Sequence, residues 1–365
     1  MNKSIIDDKR TMLDFKGVTY SGFKVTAVTK ELLKAMIYSK LEESCFWGAE
    51  LICSGHYGEI WESILAFYAK YVHIANPKLC IYLWGKMEKF KENMNNAESD
   101  WEQLSFRNDP AFRKMFVEII ALLSSSSKKY VVNPVKVDTN DFNLVFMKNK
   151  LSAPDLSFSE DVLKEQDSTE LKITANELAY NISKGVSNTL KGYYWFEWIM
   201  DYTKLCKKTK QECKIHPREN TYIDEKYMSH PIWLVWDIIK QESRGQGQIY
   251  EKIVDSLFGL FCVRYNETCN TRRKYIVYYA ISILTTNIVF TDYELVKDKK
   301  ILTCILSQVD KIFLQVKEKG ASKGDASSTE KIPENKIVGK STVSSSQEKM
   351  DIITNFESDF KPRLP

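Results

Sequence analysis

Apolar residues recur at helical spacing over most of the chain. After Thr29, whose hydroxyl suits a helix cap, Leu32, Leu33, Met36, Leu41, Cys45 and Leu51-Ile52 form one stripe that stops at Ser54-Gly55. Ile60, Ile64, Phe67, Tyr71 and Ile74, three and four apart, predict a second helix over about 58–74, closed by Asn76-Pro77. A third is predicted from Lys78 to about Asn93. Asp109-Pro110 opens a fourth through Leu123, because Asp accepts from the unpaired N–H groups of a first turn and Pro already holds a helical φ. Further helices are predicted over 174–184, 191–207, 231–242, 248–265, 271–289 and 299–317, with Gly245-Gln-Gly247 as a hinge-like break between two of them.

Three stretches depart from this pattern. Residues 1–27 read as an extended arm, with short strand signals at Val18-Thr19-Tyr20 and Phe23–Thr26 on either side of Gly22. Residues 128–164 lose the helical period and carry Pro134, Pro154 and a strand-like Leu144-Val145-Phe146; they predict an extended linker, either a plain tether or a segment laid over the surface. From about Glu318 the composition turns to Ser, Lys, Glu and Gly, with almost no large apolar residue until Ile352-Ile353 and Phe356. This predicts a flexible tail, 318–365, whose last fifteen residues are able to dock as a short motif. The expectation is therefore a mainly α protein of two helical bundles, 28–127 and 165–317, joined by the crossover and flanked by arm and tail.

Composition narrows the class. A chain of 365 residues that is 44% hydrophobic and 27% charged is neither wholly disordered nor collagen-like nor a small disulfide-stapled domain. A net charge of +4 gives no global field that would draw in nucleic acid or a membrane. The most apolar stretch, Tyr275 to Phe290, is interrupted by Ser282, Thr285, Thr286 and Asn287, which predicts a buried core helix and no membrane span. The start, with Asp7, Asp8, Lys9 and Arg10 among isolated apolar residues, lacks the apolar core of a signal peptide, so the eight cysteines are expected to be reduced.

The chemistry-bearing motifs are few. No GxxxxGK[ST] or GxGxxG is present, which argues against an intrinsic nucleotide hydrolase. Cys206, Cys213 and His216 share a basic loop, and Cys262 and Cys269 repeat the six-residue gap, but tight zinc knuckles are absent and buried thiols are the simpler expectation; no metal or cofactor is predicted. His56, His73, His216 and His230 have no GxSxG, HExxH or paired-carboxylate partner, so no enzyme is expected. The basic run Lys204, Lys207, Lys208, Lys210, Lys214 and Arg218, with Arg272, Arg273 and Lys274, is the one candidate surface, suited to phosphates or to an acidic partner. Upstream, Trp195 and Trp198 share spacing with Ile199 and Tyr202, which favours core packing over a stacking platform. Eight Trp and 19 Tyr favour protein interfaces, where an apolar ring with one polar tip suits half-wet contacts.

The run Glu50 to Trp61, with Tyr71 to Leu79 and Tyr82-Leu83, resembles a helical protein family of large nucleocytoplasmic DNA viruses of the phycodnavirus and mimivirus kind. The likeness covers mainly residues 28–125, with echoes at 193–198 and 230–236, and implies a viral setting without an activity to carry over. A fainter likeness of the same region is to the helical collar of clamp-loader-like AAA+ proteins, whose implied role is subunit assembly. Together these lead to the expectation of a non-enzymatic structural or assembly protein, a minor capsid or virion-associated component bridging other viral structural proteins such as capsid proteins. Its expected location is the virion, and the host cytoplasm during assembly. The alternative is a nucleic-acid-binding accessory of viral replication or transcription.

Overall fold

The computed structural model describes residues 6–211, 213, 215–292, 294–296 and 298–321, and these are mainly helical. In chain order the helices are α1 (Val25–Ile37), α2 (Leu41–Cys53), α3 (Tyr57–Phe67), α4 (Leu79–Asn96), α5 (Asp100–Ser105), α6 (Pro110–Ser125), the single turn α7 (Leu144–Met147) and α8 (Thr169–Ile182). They continue with α9 (Thr189–Thr209), α10 (Ile232–Gln246), α11 (Gln248–Cys262), the short α12 (Cys269–Arg272), α13 (Lys274–Thr285), α14 (Lys299–Ser307) and α15 (Val309–Ala321). The expected tail lies outside the described residues from 322 onward.

The described residues form two compact units, one from 6–63, 98–131 and 299–321, the other from those within 64–97 and 132–298. The bundles expected at 28–127 and 165–317 follow one another along the sequence, whereas these units are each assembled from separate stretches. In the first unit the reason is α14 and α15, which pack on α6 and α2 through Ile305, Ile312, Phe313 and Val316, all buried. Each such side chain removed from water adds roughly 1.5–3 kcal/mol.

Within the first unit α1 and α2 form a hairpin where one continuous helix was predicted. Ser39 takes a φ of 54°, and Lys40 N donates to Ala35 O (2.9 Å), so a left-handed non-glycine residue closes α1. Helix α2 is buried between α1, α6 and α15, and Gly48 is what admits α6: a Cβ there would collide with Ile120 Cδ1. Asp109 caps α6 as its sequence predicts, accepting from Ala111 N (2.7 Å) and Phe112 N (3.3 Å) with Pro110 in the first turn. The strand signals near Gly22 yield a single antiparallel bridge, Val18 with Lys24, because the chain bends at Gly17 and Gly22, both at φ 78°, and enters α1 at Val25.

The arm is pinned to this unit from residue 6 onward. Asn108 pairs its side-chain amide with Ile6 N (2.9 Å) and O (2.8 Å), Arg107 donates to Asp8 O and Cys53 O (3.0 Å each), and His56 Nε2 donates to Val18 O (2.8 Å). Glu50, wholly buried, accepts from Ser21 N (3.2 Å) and Ser21 Oγ (2.5 Å), and burial raises its pKa against those hydrogen bonds. At the end of α15 the Lys319 ammonium stands over the rings of Phe23 (4.9 Å), Phe46 (5.0 Å) and Trp47 (5.7 Å), and Gly320 lies too close to the Tyr20 ring for a Cβ.

The second unit packs α4 and α8–α13 around α13, where Ile276 to Leu284 is buried on every face, in agreement with the predicted core helix. Hairpin α10–α11 turns at Gly247, φ 121°, where the glycine break was predicted. Trp195, Trp198, Trp233 and Trp236 are fully buried, so the aromatic run upstream of the basic loop is core and not a stacking face. Residues 68–72 wind as a π turn, followed by His73 at φ 26° and a 3₁₀ turn to Ala75, with Tyr279 Oη donating to Pro77 O (3.1 Å).

Candidate interaction surfaces

The cationic candidates divide by what they face. Helix α9 delivers Lys204, Lys207, Lys208 and Lys210 to its C-terminal end, where cations complement the partial negative charge of unpaired carbonyls. All four are exposed. Lys204 pairs with Asp201 (2.8 Å) and Lys207 with Glu267 (2.6 Å). Arg272 is exposed at the end of α12, its Nη2 3.3 Å from Cys269 Sγ. Lys214 lies outside the described residues.

The other three point inward. Arg218, 7% exposed, binds Asp167 (2.7 Å) and Asp237 (3.3 Å). The Asp167 carboxylate is wholly buried and also accepts from His216 N and Lys164 N (2.9 Å each), so this pair ties the loop after α9 to the end of the crossover. Arg273 is buried and donates to Phe261 O (2.7 Å) and Val263 O (2.6 Å), closing the end of α11. Lys274 pairs with Glu197 (3.0 Å), a buried carboxylate that also accepts from Tyr278 Oη. A run of cations that reads as one patch is therefore an exposed helix end plus three internal fasteners.

Histidines and cysteines do not converge. His216 Nδ1 meets Gln166 Oε1 (2.8 Å). His230, half-buried, receives Ile232 N at Nδ1 (3.0 Å) and so caps α10, while Nε2 meets the Asn270 amide (3.1 Å). Burial holds its pKa down at about 4. All eight cysteines are free thiols, and among the described residues no cluster of three His, Cys, Asp or Glu side chains is arranged to hold a metal ion. No described helix is long and apolar enough to cross a membrane.

The crossover is the surface that sequence reasoning left undecided between tether and overlay. Its strand-like Leu144-Val145-Phe146 is instead the turn α7, because Asn143 Oδ1 accepts from Val145 N (2.9 Å) and, among the described residues, no strand lies alongside. From 138 to 167 the segment is fastened to the second unit by buried polar groups. Asp141 accepts from Tyr194 Oη (2.7 Å) and Lys150 Nζ, while its carbonyl accepts from Trp198 Nε1 (3.0 Å). Glu177 Oε1 accepts from both Ser152 N and Ala153 N (2.8 Å each), and Asn176 Nδ2 donates to Asp155 O (2.7 Å). Lys191 donates to Ser152 Oγ.

So fastened, the crossover turns apolar side chains outward. Val145 is 74%, Phe146 56% and Leu156 64% exposed, and Leu190, beside Lys191 on α9, is 71% exposed. Little in the sequence marks this surface: Glu177 stands on the Thr174–Asn181 side of α8, away from the Leu171–Ala175–Leu178 stripe, and what singles it out is its burial against the backbone N–H groups of the crossover. No protein-family model, curated protein or solved structure is found to match the chain.

Proposed function

We propose that the chain is a non-catalytic assembly protein that bridges neighbouring proteins, as a minor capsid or other virion-associated component. The observation that carries the bridging role is the fastened crossover with Val145, Phe146 and Leu156 facing solvent. A free loop would lose roughly 1–2 kcal/mol per residue on docking, and here that ordering is already complete before a partner arrives. The viral setting is supported by the likeness of residues 50–83 described above, and from it come the partners, other viral structural proteins such as capsid proteins, and the location in the particle and the assembling host cytoplasm.

Quantitative mass spectrometry of purified particles, counting this chain against the major capsid protein, tests the reading. A fixed stoichiometry supports it; expression in the infected cell with absence from the particle rejects it. The alternative, a nucleic-acid-binding accessory, is supported by the exposed Lys204, Lys207, Lys208 and Lys210. It requires log K to fall against log[salt] with a slope of about −0.9 per phosphate contact.

A further inference from the structure

The end of α9 reverses the chain in a specific way. Lys210 takes a left-handed φ of 59°, and the N–H groups of Lys210 and Gln211 both donate to the Cys206 carbonyl, Gln211 at 2.9 Å. This closure, the last N–H reaching back five residues, sends the chain back along the helix it has just left. Cys213 returns accordingly: its Sγ lies 3.9 Å from Thr203 Oγ1. Thr203 is three residues before Cys206, one turn away on the same face of α9, so the returning thiol lies along the row that Cys206 occupies.

We infer that Cys206 and Cys213 form a reversible disulfide that locks the turn carrying Lys207, Lys208 and Lys210. The other cysteines are placed differently: Cys45, Cys53, Cys80, Cys262 and Cys269 are buried, and Cys304 is exposed on α14. Cys213 is half-buried and Cys206 buried, which sets the order of events. With oxidised glutathione as oxidant, the Cys213 thiolate attacks one glutathione sulfur, breaking the S–S bond and releasing one glutathione thiolate. Cys206 then attacks Cys213 Sγ, forming the protein S–S bond and releasing the second glutathione. Two electrons pass from the cysteine sulfurs to the glutathione disulfide, and the two thiol protons end on the two glutathione thiols. Burial, and after it the Cys206 thiol, push Cys213 up to about 12, so exchange at neutral pH is slow and the bond acts as a durable lock, not a rapid sensor. The inference is independent of the assembly role: it requires only an oxidising setting.

The test uses the full chain with Cys304→Ser, to remove the exposed thiol. After incubation with oxidised glutathione, remaining thiols are alkylated under denaturing conditions and the protein is digested with trypsin. The expected product is peptide 205–207 joined to peptide 211–214, two hydrogens lighter than the sum of the pair and separated again by dithiothreitol. Trypsin cleavage of the folded, oxidised protein after Lys208 and Lys210 is expected to be at least about tenfold slower than in the reduced form, since a locked turn cannot enter the protease cleft. In Cys213→Ser the Cys206 peptide is expected to be recovered fully alkylated. Recovery of both peptides alkylated from the oxidised protein, glutathione left unresolved on Cys213, or Cys206 joined to any other cysteine would overturn the inference.

Discussion

The basic end of α9 and the crossover between 138 and 167 belong to the same unit and use charge in opposite ways. Around α9 the cations are dense in sequence, yet Arg218, Arg273 and Lys274 are internal fasteners, and the exposed lysines sit where a helix end favours them in any case. In the crossover, acids and lysines are scattered among polar and apolar residues, yet its Asp141 and Asp167, with Glu177 of α8, hold the segment down, and Val145, Phe146 and Leu156 are left in water. A charge run thus reports local solvation, while a buried acid on a helix face reports that something has been brought to it. Exposed apolar side chains on an immobilised segment are the stronger sign of a contact surface.

This contrast can be broken at its most buried point first. Arg218→Ala strands the Asp167 carboxylate without its cation, and about 3–5 kcal/mol of stability is expected to go, read as a lower urea midpoint. If the loss is no larger than for an exposed lysine, Arg218 belongs with the surface patch after all. Next is His230. Its folded pKa of about 4 lies below its ordinary value of 6.5, so the unfolded chain takes up the proton first as the solution is acidified. Stability is present in full above pH 6.5 and is lost as pH falls from there through 4, by about 3 kcal/mol. Protonation at Nδ1 also removes the acceptor for Ile232 N, and His230→Asn, which keeps a cap but cannot titrate, is expected to flatten the profile.

Smaller effects sharpen the comparison. Glu177→Ala leaves Ser152 N and Ala153 N without their acceptor, at about 2 kcal/mol, and their hydrogen exchange is expected to accelerate by roughly 30-fold while α13 stays protected. The smallest changes in stability, within about 0.5 kcal/mol, are expected for paired Val145→Ser with Phe146→Ser and for paired Lys208→Glu with Lys210→Glu, since all four side chains are exposed. Cross-linking to neighbouring proteins then separates the two: the serine pair is expected to lose cross-links and the charge reversal to keep them. The reverse result would transfer the contact surface to the basic turn.

Local rules that act within a few residues were legible in the sequence. Asp109-Pro110 starts α6, Gly247 ends the turn between α10 and α11, and the unbroken apolar face of Ile276 to Leu284 marks a buried helix. The break at Ser39 was not, because a left-handed cap at a residue other than glycine leaves no mark of its own. The short helix at 144–147 was misread as strand-like, since a three-residue apolar run suits either structure until Asn143 supplies its cap and no neighbour strand arrives. The packing of α14 on α6 and of α15 on α2 rests on contacts between residues far apart in sequence, for which periodicity carries no information. The candidate site suffered most: Lys204 and Arg218 look alike in sequence, and only the buried Asp167 opposite one of them tells them apart.

The boxed ammonium at the end of α15 has a mechanical consequence. Lys319 over Phe23, Phe46 and Trp47, with Gly320 seated on Tyr20, fixes the end of α15 beside the segment that leads from the arm into α1. A pull applied at the end of α15 enters the first unit there and loads Lys319, Val316 and Phe313 in sequence against α2. The cation and its three rings are then the first joint in the load path, and trimming the ammonium with Lys319→Met is expected to lower the force at which α15 peels away while leaving α2 clamped by α6 at Gly48.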